Sequence, residues 1–190
     1  LYLPGTVFLV VVAVTWWLHR MPVAARLQAV GTSASTLRGT CVALLFAIPL
    51  ARIFINSGVN GAGLQSMPLL LAQNAAGVAG SAWPLVAAWV GAFGAFIAGS
   101  NTISNMMFSL FQFGVAANIG VSTLWIVALQ AVGGAAGNMI CIHNVVAASA
   151  TVGLAGREGT LIRGVLVPLL YYLLAAGLLG LVLTRLVGGA

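Results

Sequence analysis

The sequence predicts an all-α integral membrane protein, a polytopic helix bundle with broken helices and a re-entrant hairpin. Of its 190 residues, 62% are hydrophobic and only 4% are charged, and the mean hydropathy is +1.14. Because a soluble domain carries about 25% charged residues, this chain could not cover a soluble surface. Its apolar runs are continuous and do not alternate, which indicates helices and not the strands of a barrel.

A polar run between two apolar arms predicts the broken helix. Residues 99–105 read Gly-Ser-Asn-Thr-Ile-Ser-Asn, and neither the arm ending at Ala98 nor the arm starting at Met106 carries a charge. Broken backbone at membrane depth is tolerated only inside protein or beside a water-filled cavity. Transporters place substrate and ion sites at such breaks, because half-helix ends offer free N–H and C=O groups.

The charge distribution excludes several partner classes. All seven basic residues are arginines, the only acid is Glu158, and the net charge is +6. The arginines lie mainly at the ends of apolar runs, as the positive-inside rule expects, so nucleic acid is not an expected partner. Cys41 and Cys141 have neither a disulfide framework nor a metal-ligand spacing with histidine. We therefore expect no metal and no cofactor.

A single transmembrane domain over residues 1–190 is predicted, with five membrane elements at about 6–18, 40–55, 83–115, 123–154 and 164–184. The third element is one interrupted span or a re-entrant hairpin with Ser100-Asn101-Thr102 at its tip. The arginines place the loops 19–38 and 156–163 in the cytoplasm, with a short interfacial helix or a helix cap expected in the first. An even number of crossings must then separate the loops, which favours the hairpin. We expect an irregular or interfacial connection over 56–80.

The fourth element repeats the apolar–polar–apolar pattern. Its polar centre, residues 137–144, reads Gly-Asn-Met-Ile-Cys-Ile-His-Asn and contains the only intramembrane histidine, His143. Gly133 and Gly137 are spaced one helical turn apart, as are Gly91, Ala95 and Gly99 in the third element. Such small residues let a neighbouring helix approach closely.

Several long runs resemble the C-terminal part of the bacterial L-lactate permease family. They are Leu3-Pro4-Gly5-Thr6, 98–108, Gln112-Phe113-Gly114, 129–153 and 163–172, which together extend over most of the chain. The resemblance implies import of lactate, and in related members glycolate, with protons across the bacterial inner membrane. The chain starts without Met or a basic leader region. We therefore expect a piece of a longer permease that lacks its N-terminal repeat. A homodimer is compatible with these features.

That family is grouped with an ion-transporter superfamily whose dicarboxylate carriers have Ser-Asn-Thr at hairpin tips, in carboxylate and cation sites. The resemblance thus implies a substrate role for Ser100, Asn101 and Thr102. A lactate site needs hydrogen-bond donors and one positive element. The donors expected are Ser100, Asn101, Thr102, Asn105, Asn138 and Asn144. The alternative is that these side chains satisfy one another and cap broken helices.

Two positive elements are available for a carboxylate. One is the positive end of the half-helix that follows Asn105. The other is Arg52, close after Pro49 in the second span, which either faces a partner or cavity or extends its guanidinium to the interface. For proton coupling, His143 is the candidate, because imidazole is the side chain that titrates nearest to neutral pH. The alternative is a neutral His143 bonded to a backbone carbonyl. Glu158 adjoins Arg157 in a loop, as a solvated pair would.

The function predicted is proton-coupled symport of L-lactate and related 2-hydroxymonocarboxylates such as glycolate. The alternative is a cation/proton antiporter or another carboxylate carrier of the same superfamily, but an antiporter would need an intramembrane acid, and this sequence has none. A non-transporting membrane subunit predicts no polar breaks. An intramembrane hydrolase would need a Ser/His or Asp/Asp pair, so we do not expect an enzyme.

Overall fold

The computed structural model describes residues 4–154 and 156–186. Within these residues the regular structure is entirely helical, and three stretches are long and apolar enough to cross a membrane: Met67–Ala98, Thr123–Ile140 and Glu158–Leu186. The prediction of an all-α membrane protein is confirmed. The chain divides into two compact units, Leu1–Leu45 and Phe46–Ala190. Residues 1–3, 155 and 187–190 of the predicted domain lie outside the described part.

The first unit contains helix α1 (Pro4–Leu18) and the beginning of helix α2 (Val23–Ile55). The turn between the helices is short and includes Arg20 with a positive φ of 47°. The predicted loop over 19–38 is therefore much shorter in the structure, since helix continues from Val23. Ala, Leu, Gln and Arg, all strong helix formers, dominate the start of α2, and Pro49 does not end it.

Among the described residues of the second unit, six helices follow a 3₁₀ turn at Asn56–Gly58. They are α3 (Met67–Ala79), α4 (Trp83–Ala98), α5 (Asn101–Ile119), α6 (Thr123–Gly137), α7 (Ile142–Thr151) and α8 (Glu158–Leu186). The predicted irregular connection over 56–80 thus contains a 13-residue helix, α3. Pro68 in its first turn favours helix initiation, and Gly80 with a φ of 49° ends it.

Helices α4 and α5 form an antiparallel hairpin. Trp83 at the start of α4 contacts Gln112 late in α5, whereas Gly91 further along α4 contacts Ser104 early in α5. Helix α6 runs parallel to α4 and touches both arms, α3 packs along α5, and α8 packs antiparallel against α4 and α6. The ends of α4 and α6 therefore lie on the same side as the beginnings of α5 and α8.

Backbone-to-backbone contact joins α4 to α6. A Cβ at Gly133 would overlap the carbonyl oxygen of Ala88, and one at Gly137 would overlap that of Ala92. From the side of α4, a Cβ at Gly91 would overlap the carbonyl oxygen of Gln130 on α6. Apolar side chains gain little by packing against each other in place of lipid, so close packing of small residues is what joins such helices. The predicted small-residue spacing at Gly133 and Gly137 has this structural basis.

Candidate functional site

The hairpin turns at two residues that break the helix in different ways. Gly99 has a left-handed φ of 67° and ends α4, with its N–H donating to the carbonyl of Ala95 at 2.7 Å. Ser100 is extended (φ −152°, ψ 125°) and caps α5, because its Oγ accepts from the N–H of Ile103 at 3.4 Å. The predicted break at the polar run is thus a tight turn between two helix ends.

A second break separates α6 from α7. After Gly137 the chain tightens into a 3₁₀ turn over Asn138–Ile140, and Cys141 then adopts an extended conformation (φ −65°, ψ 125°). Helix α7 restarts at Ile142, and its first regular bond runs from the N–H of Val145 to the carbonyl of Cys141 at 2.9 Å. The second apolar–polar–apolar pattern in the sequence therefore also marks a broken helix.

The two breaks meet in space. Asn144 Nδ2 donates to the carbonyl of Gly99 and to Asn138 Oδ1, both at 3.4 Å. The imidazole of His143 occupies the space that a Cβ at Gly99 would fill. Side chains at the start of α7 thus contact the tip of the hairpin, 45 residues earlier in the chain.

An asparagine pair lies next to this junction, in the first turns of α5. Asn105 Nδ2 donates to Asn101 Oδ1 at 3.2 Å, one helical turn away on α5. The Asn101 oxygen lies directly against Gly134 of α6, where a Cβ would overlap it. Asn105 Oδ1 is buried, and no hydrogen bond reaches it among the described residues. A buried acceptor without a partner is costly, so a hydrogen bond donated to this oxygen by a bound molecule would be favourable.

Helix ends of both signs meet at the junction, since α4 and α6 end there while α5 and α7 begin there. The first N–H groups of α5 and α7 have no partner within their own helix. The macrodipole adds roughly half a positive charge at each N-terminus. Two such ends beside amide donors suit a small carboxylate.

Six of the predicted site residues come together at this junction: Ser100, Asn101, Asn105, Asn138, His143 and Asn144. Two others have different surroundings. Thr102 follows Asn101 in the first turn of α5 and is exposed. Arg52 is exposed in the last turn of α2, where its carbonyl accepts from Asn56 Nδ2 at 2.8 Å. Within the described part of the chain, no hydrogen bond joins Arg52 to the junction.

The family described as L-lactate permease matches residues 1–187. The chain belongs to the L-lactate permease family. Among curated relatives, it is 38% identical to a putative L-lactate permease of Haemophilus influenzae over 136 residues, which is 72% of this chain and 25% of the relative. It is 36% identical to the L-lactate permease of Escherichia coli K12 over 149 residues, 77% of this chain and 25% of the relative.

A glycolate permease, GlcA of Escherichia coli K12, is also similar, with 37% identity over 84 residues, 44% of this chain and 15% of GlcA. The chain spans about a quarter of the length of the L-lactate permeases it matches. No solved structure gives a significant match. Members of the family are inner-membrane proteins, which places this chain in the bacterial inner membrane.

This L-lactate permease family chain also contains a buried polar network that the sequence did not single out. Trp83 Nε1 donates to Gln112 Oε1 at 2.7 Å, and Gln112 Nε2 donates to Gln130 Oε1 and to the carbonyl of Ala87, both at 3.0 Å. Gln130 Nε2 donates to Ser104 Oγ at 3.0 Å, and that hydroxyl donates to the carbonyl of Gly91 at 2.8 Å. The only signal in the sequence is a glutamine inside each of two apolar runs.

A cleft elsewhere in the second unit has different chemistry. It encloses about 670 Å³ and is lined by aromatic and aliphatic side chains, among them Trp83, Phe108 and Phe111, with Asn74 as the polar member. A carboxylate that entered it would lose hydration without gaining comparable partners. The junction of the two breaks is therefore the better candidate site for a small carboxylate.

Proposed function

We propose that the chain contributes a substrate site to a secondary transporter that moves L-lactate and related 2-hydroxymonocarboxylates, such as glycolate, together with protons across the bacterial inner membrane. The observation that carries the proposal is the meeting of the two helix breaks. Gly99 at the first break receives a hydrogen bond from Asn144 just after the second. Broken helices that meet in a bilayer are the usual construction of a transport site.

The junction supplies what lactate requires. The carboxylate of lactate would accept from the first N–H groups of α5 and α7, which have no partner within their own helix. Its hydroxyl would donate to Asn105 Oδ1, the buried acceptor that has no partner in the described residues. The names of the relatives, L-lactate permease and glycolate permease, fit a ligand with both groups.

Replacing Asn105 should reduce the preference for a 2-hydroxy acid. In Asn105→Ala, we expect kcat/KM for L-lactate, relative to propionate, to fall about tenfold, since one hydrogen bond to the hydroxyl is lost. The measurement is uptake of each labelled acid by proteoliposomes containing the full-length protein. Asn118→Ala is the matched control: Asn118 also lies on α5, and its amide donates to the carbonyl of Gly114 at 2.7 Å, one turn back on the same helix. An unchanged lactate-to-propionate ratio in Asn105→Ala would remove the hydroxyl role.

His143 is the proposed proton-coupling residue. Its ring lies against Gly99, at the end of α4, and the side chain is exposed. A proton on this imidazole would lie beside the carboxylate of a ligand bound at the junction, as coupled movement of the two requires. Because the imidazole contacts Gly99, a proton gained or lost there would act directly on the turn between α4 and α5.

A vesicle experiment separates binding from coupling. We expect Asn101→Ala to abolish both lactate uptake driven by a pH gradient and lactate counterflow without a gradient, because the binding site is lost. His143→Ala should lose gradient-driven uptake but retain counterflow, because exchange of bound substrate needs no net proton movement. Labelled L-lactate in proteoliposomes gives both quantities.

Equal insertion of the variants, checked by the yield of folded protein, is the control for this experiment. Uptake that is unaffected in Asn101→Ala would contradict the site at the hairpin tip. Uptake and counterflow lost equally in His143→Ala would instead make His143 a substrate or structural residue. If the unaltered protein takes up neither lactate nor glycolate, the proposed substrate class is wrong.

A further inference from the structure

Gln130 is buried inside the network and has no hydrogen-bond donor left for a ligand. This residue is fully buried, its Oε1 accepts from Gln112, and its Nε2 donates to the hydroxyl of Ser104 at 3.0 Å and to the Ser104 carbonyl at 3.5 Å. A side chain enclosed and satisfied in this way does not contact substrate. Any role in transport must therefore act through the residues it holds.

Those residues adjoin the junction. Ser104 lies in the first turns of α5, between Asn101 and Asn105 in the sequence and next to the latter. On α6, Gln130 precedes Gly134 by one helical turn, and Gly134 is the residue against which the Asn101 oxygen lies. Two adjacent turns of α5 and α6 are therefore in register: one pair is Ser104 with Gln130, and the next is Asn101 with Gly134.

The register determines which way the asparagines face. Successive residues on a helix are rotated by about 100°, so a rotation of α5 by a fraction of that angle would take Asn101 off Gly134. Close glycine contacts fix α6 against α4, whereas Gln130 and Ser104 provide a directional bond between α6 and α5. Ser104 also bonds the carbonyl of Gly91, which ties the same turn of α5 to α4.

We propose that Gln130 is a positioning residue, which fixes the rotation of α5 through Ser104 and so aims the Asn101–Asn105 pair at the substrate. This role rests on the proposed function, since the pair is read as part of the lactate site. It differs from general stabilisation in one respect. Loss of the Gln130–Ser104 bond, which lies nearest the asparagine pair, should weaken substrate binding. Loss of the Trp83–Gln112 bond at the far end of the network should not.

The test compares Gln130→Met with Trp83→Phe. Methionine has nearly the volume of glutamine and cannot donate to Ser104, while Ser104 and Gln112 keep bonds to the carbonyls of Gly91 and Ala87. Trp83→Phe removes the donor at the far end, the indole N–H to Gln112, and leaves a smaller aromatic ring facing Phe111. We expect Gln130→Met to raise the KM for lactate about tenfold with little change in Vmax. Trp83→Phe should leave KM unchanged.

A double-mutant cycle with Ser104→Ala identifies the bond. Ser104→Ala removes the bond from Gln130 together with the bond to the Gly91 carbonyl. If Gln130 acts through Ser104, adding Gln130→Met to Ser104→Ala should therefore raise the KM no further. Equal rises in KM for Gln130→Met and Trp83→Phe would overturn the positioning role, and so would an unchanged KM in Gln130→Met while the unaltered protein takes up lactate. Absence of lactate uptake by the unaltered protein would instead refute the proposed function, and this role with it.

Discussion

Gly133→Ala is expected to prevent α4 and α6 from packing together. The added methyl would overlap the carbonyl oxygen of Ala88, which belongs to the backbone of α4 and cannot move aside as a side chain can. Overpacking a rigid contact costs about 1–3 kcal/mol, and an effect at the upper end is expected because the obstacle is main chain. We expect a lower melting temperature in detergent and a smaller yield of monodisperse protein. Thermal unfolding measures the melting temperature, and gel filtration measures the yield of monodisperse protein.

Gly164→Ala is the matched control for that substitution. Gly164 lies inside α8, and a Cβ there meets nothing within 4 Å. Since alanine is favoured over glycine in a helix by about 1 kcal/mol, this control should be neutral or slightly stabilising. A melting temperature for Gly133→Ala as high as that of Gly164→Ala would show that α4 and α6 do not pack at backbone distance.

The helix breaks could be predicted from the sequence because their cause is local. A run of Gly, Ser and Asn inside apolar arms supplies a left-handed residue and a helix cap within two positions, Gly99 and Ser100. Small residues spaced by one turn likewise marked the α4–α6 contact. The extent of α2 was not evident, since polar and basic residues suggested a loop although their helix propensities are high.

The meeting of the breaks depends on tertiary packing and could not be read from local pattern. The sequence supplied Asn138, His143 and Asn144 as candidates but left open whether they served the site or capped their own helix. Only the parallel arrangement of α4 and α6 brings their C-terminal ends, and hence Gly99 and Asn138, to the same place. The hydrogen bond between Gln112 and Gln130 could not be predicted for the same reason, because it forms only when α5 packs against α6.

Gly99→Ala tests that long-range contact and should greatly reduce transport. Alanine at a φ of 67° is strained by about 1–2 kcal/mol. Its methyl would also overlap the imidazole of His143, which must turn away from the hairpin tip. One of the two contacts between the breaks would then be lost, and the strain would act on the residue whose carbonyl accepts from Asn144 at 3.4 Å. We expect lactate uptake to fall more than about tenfold, as separation of the two breaks would dismantle the site.

Gly120→Ala separates the strain from the contact. Gly120 ends α5 with a φ of 70°, nearly that of Gly99, but a Cβ there meets nothing within 4 Å. Both variants should therefore be destabilised by about the same backbone strain. Only Gly99→Ala should also lose the contact between the two breaks. Adding His143→Ala removes the obstructing ring, so the melting temperature of the double variant should recover toward that of Gly120→Ala. If Gly99→Ala and Gly120→Ala reduce uptake and melting temperature equally, then backbone strain alone explains the loss, and the contact between the two breaks does not support transport.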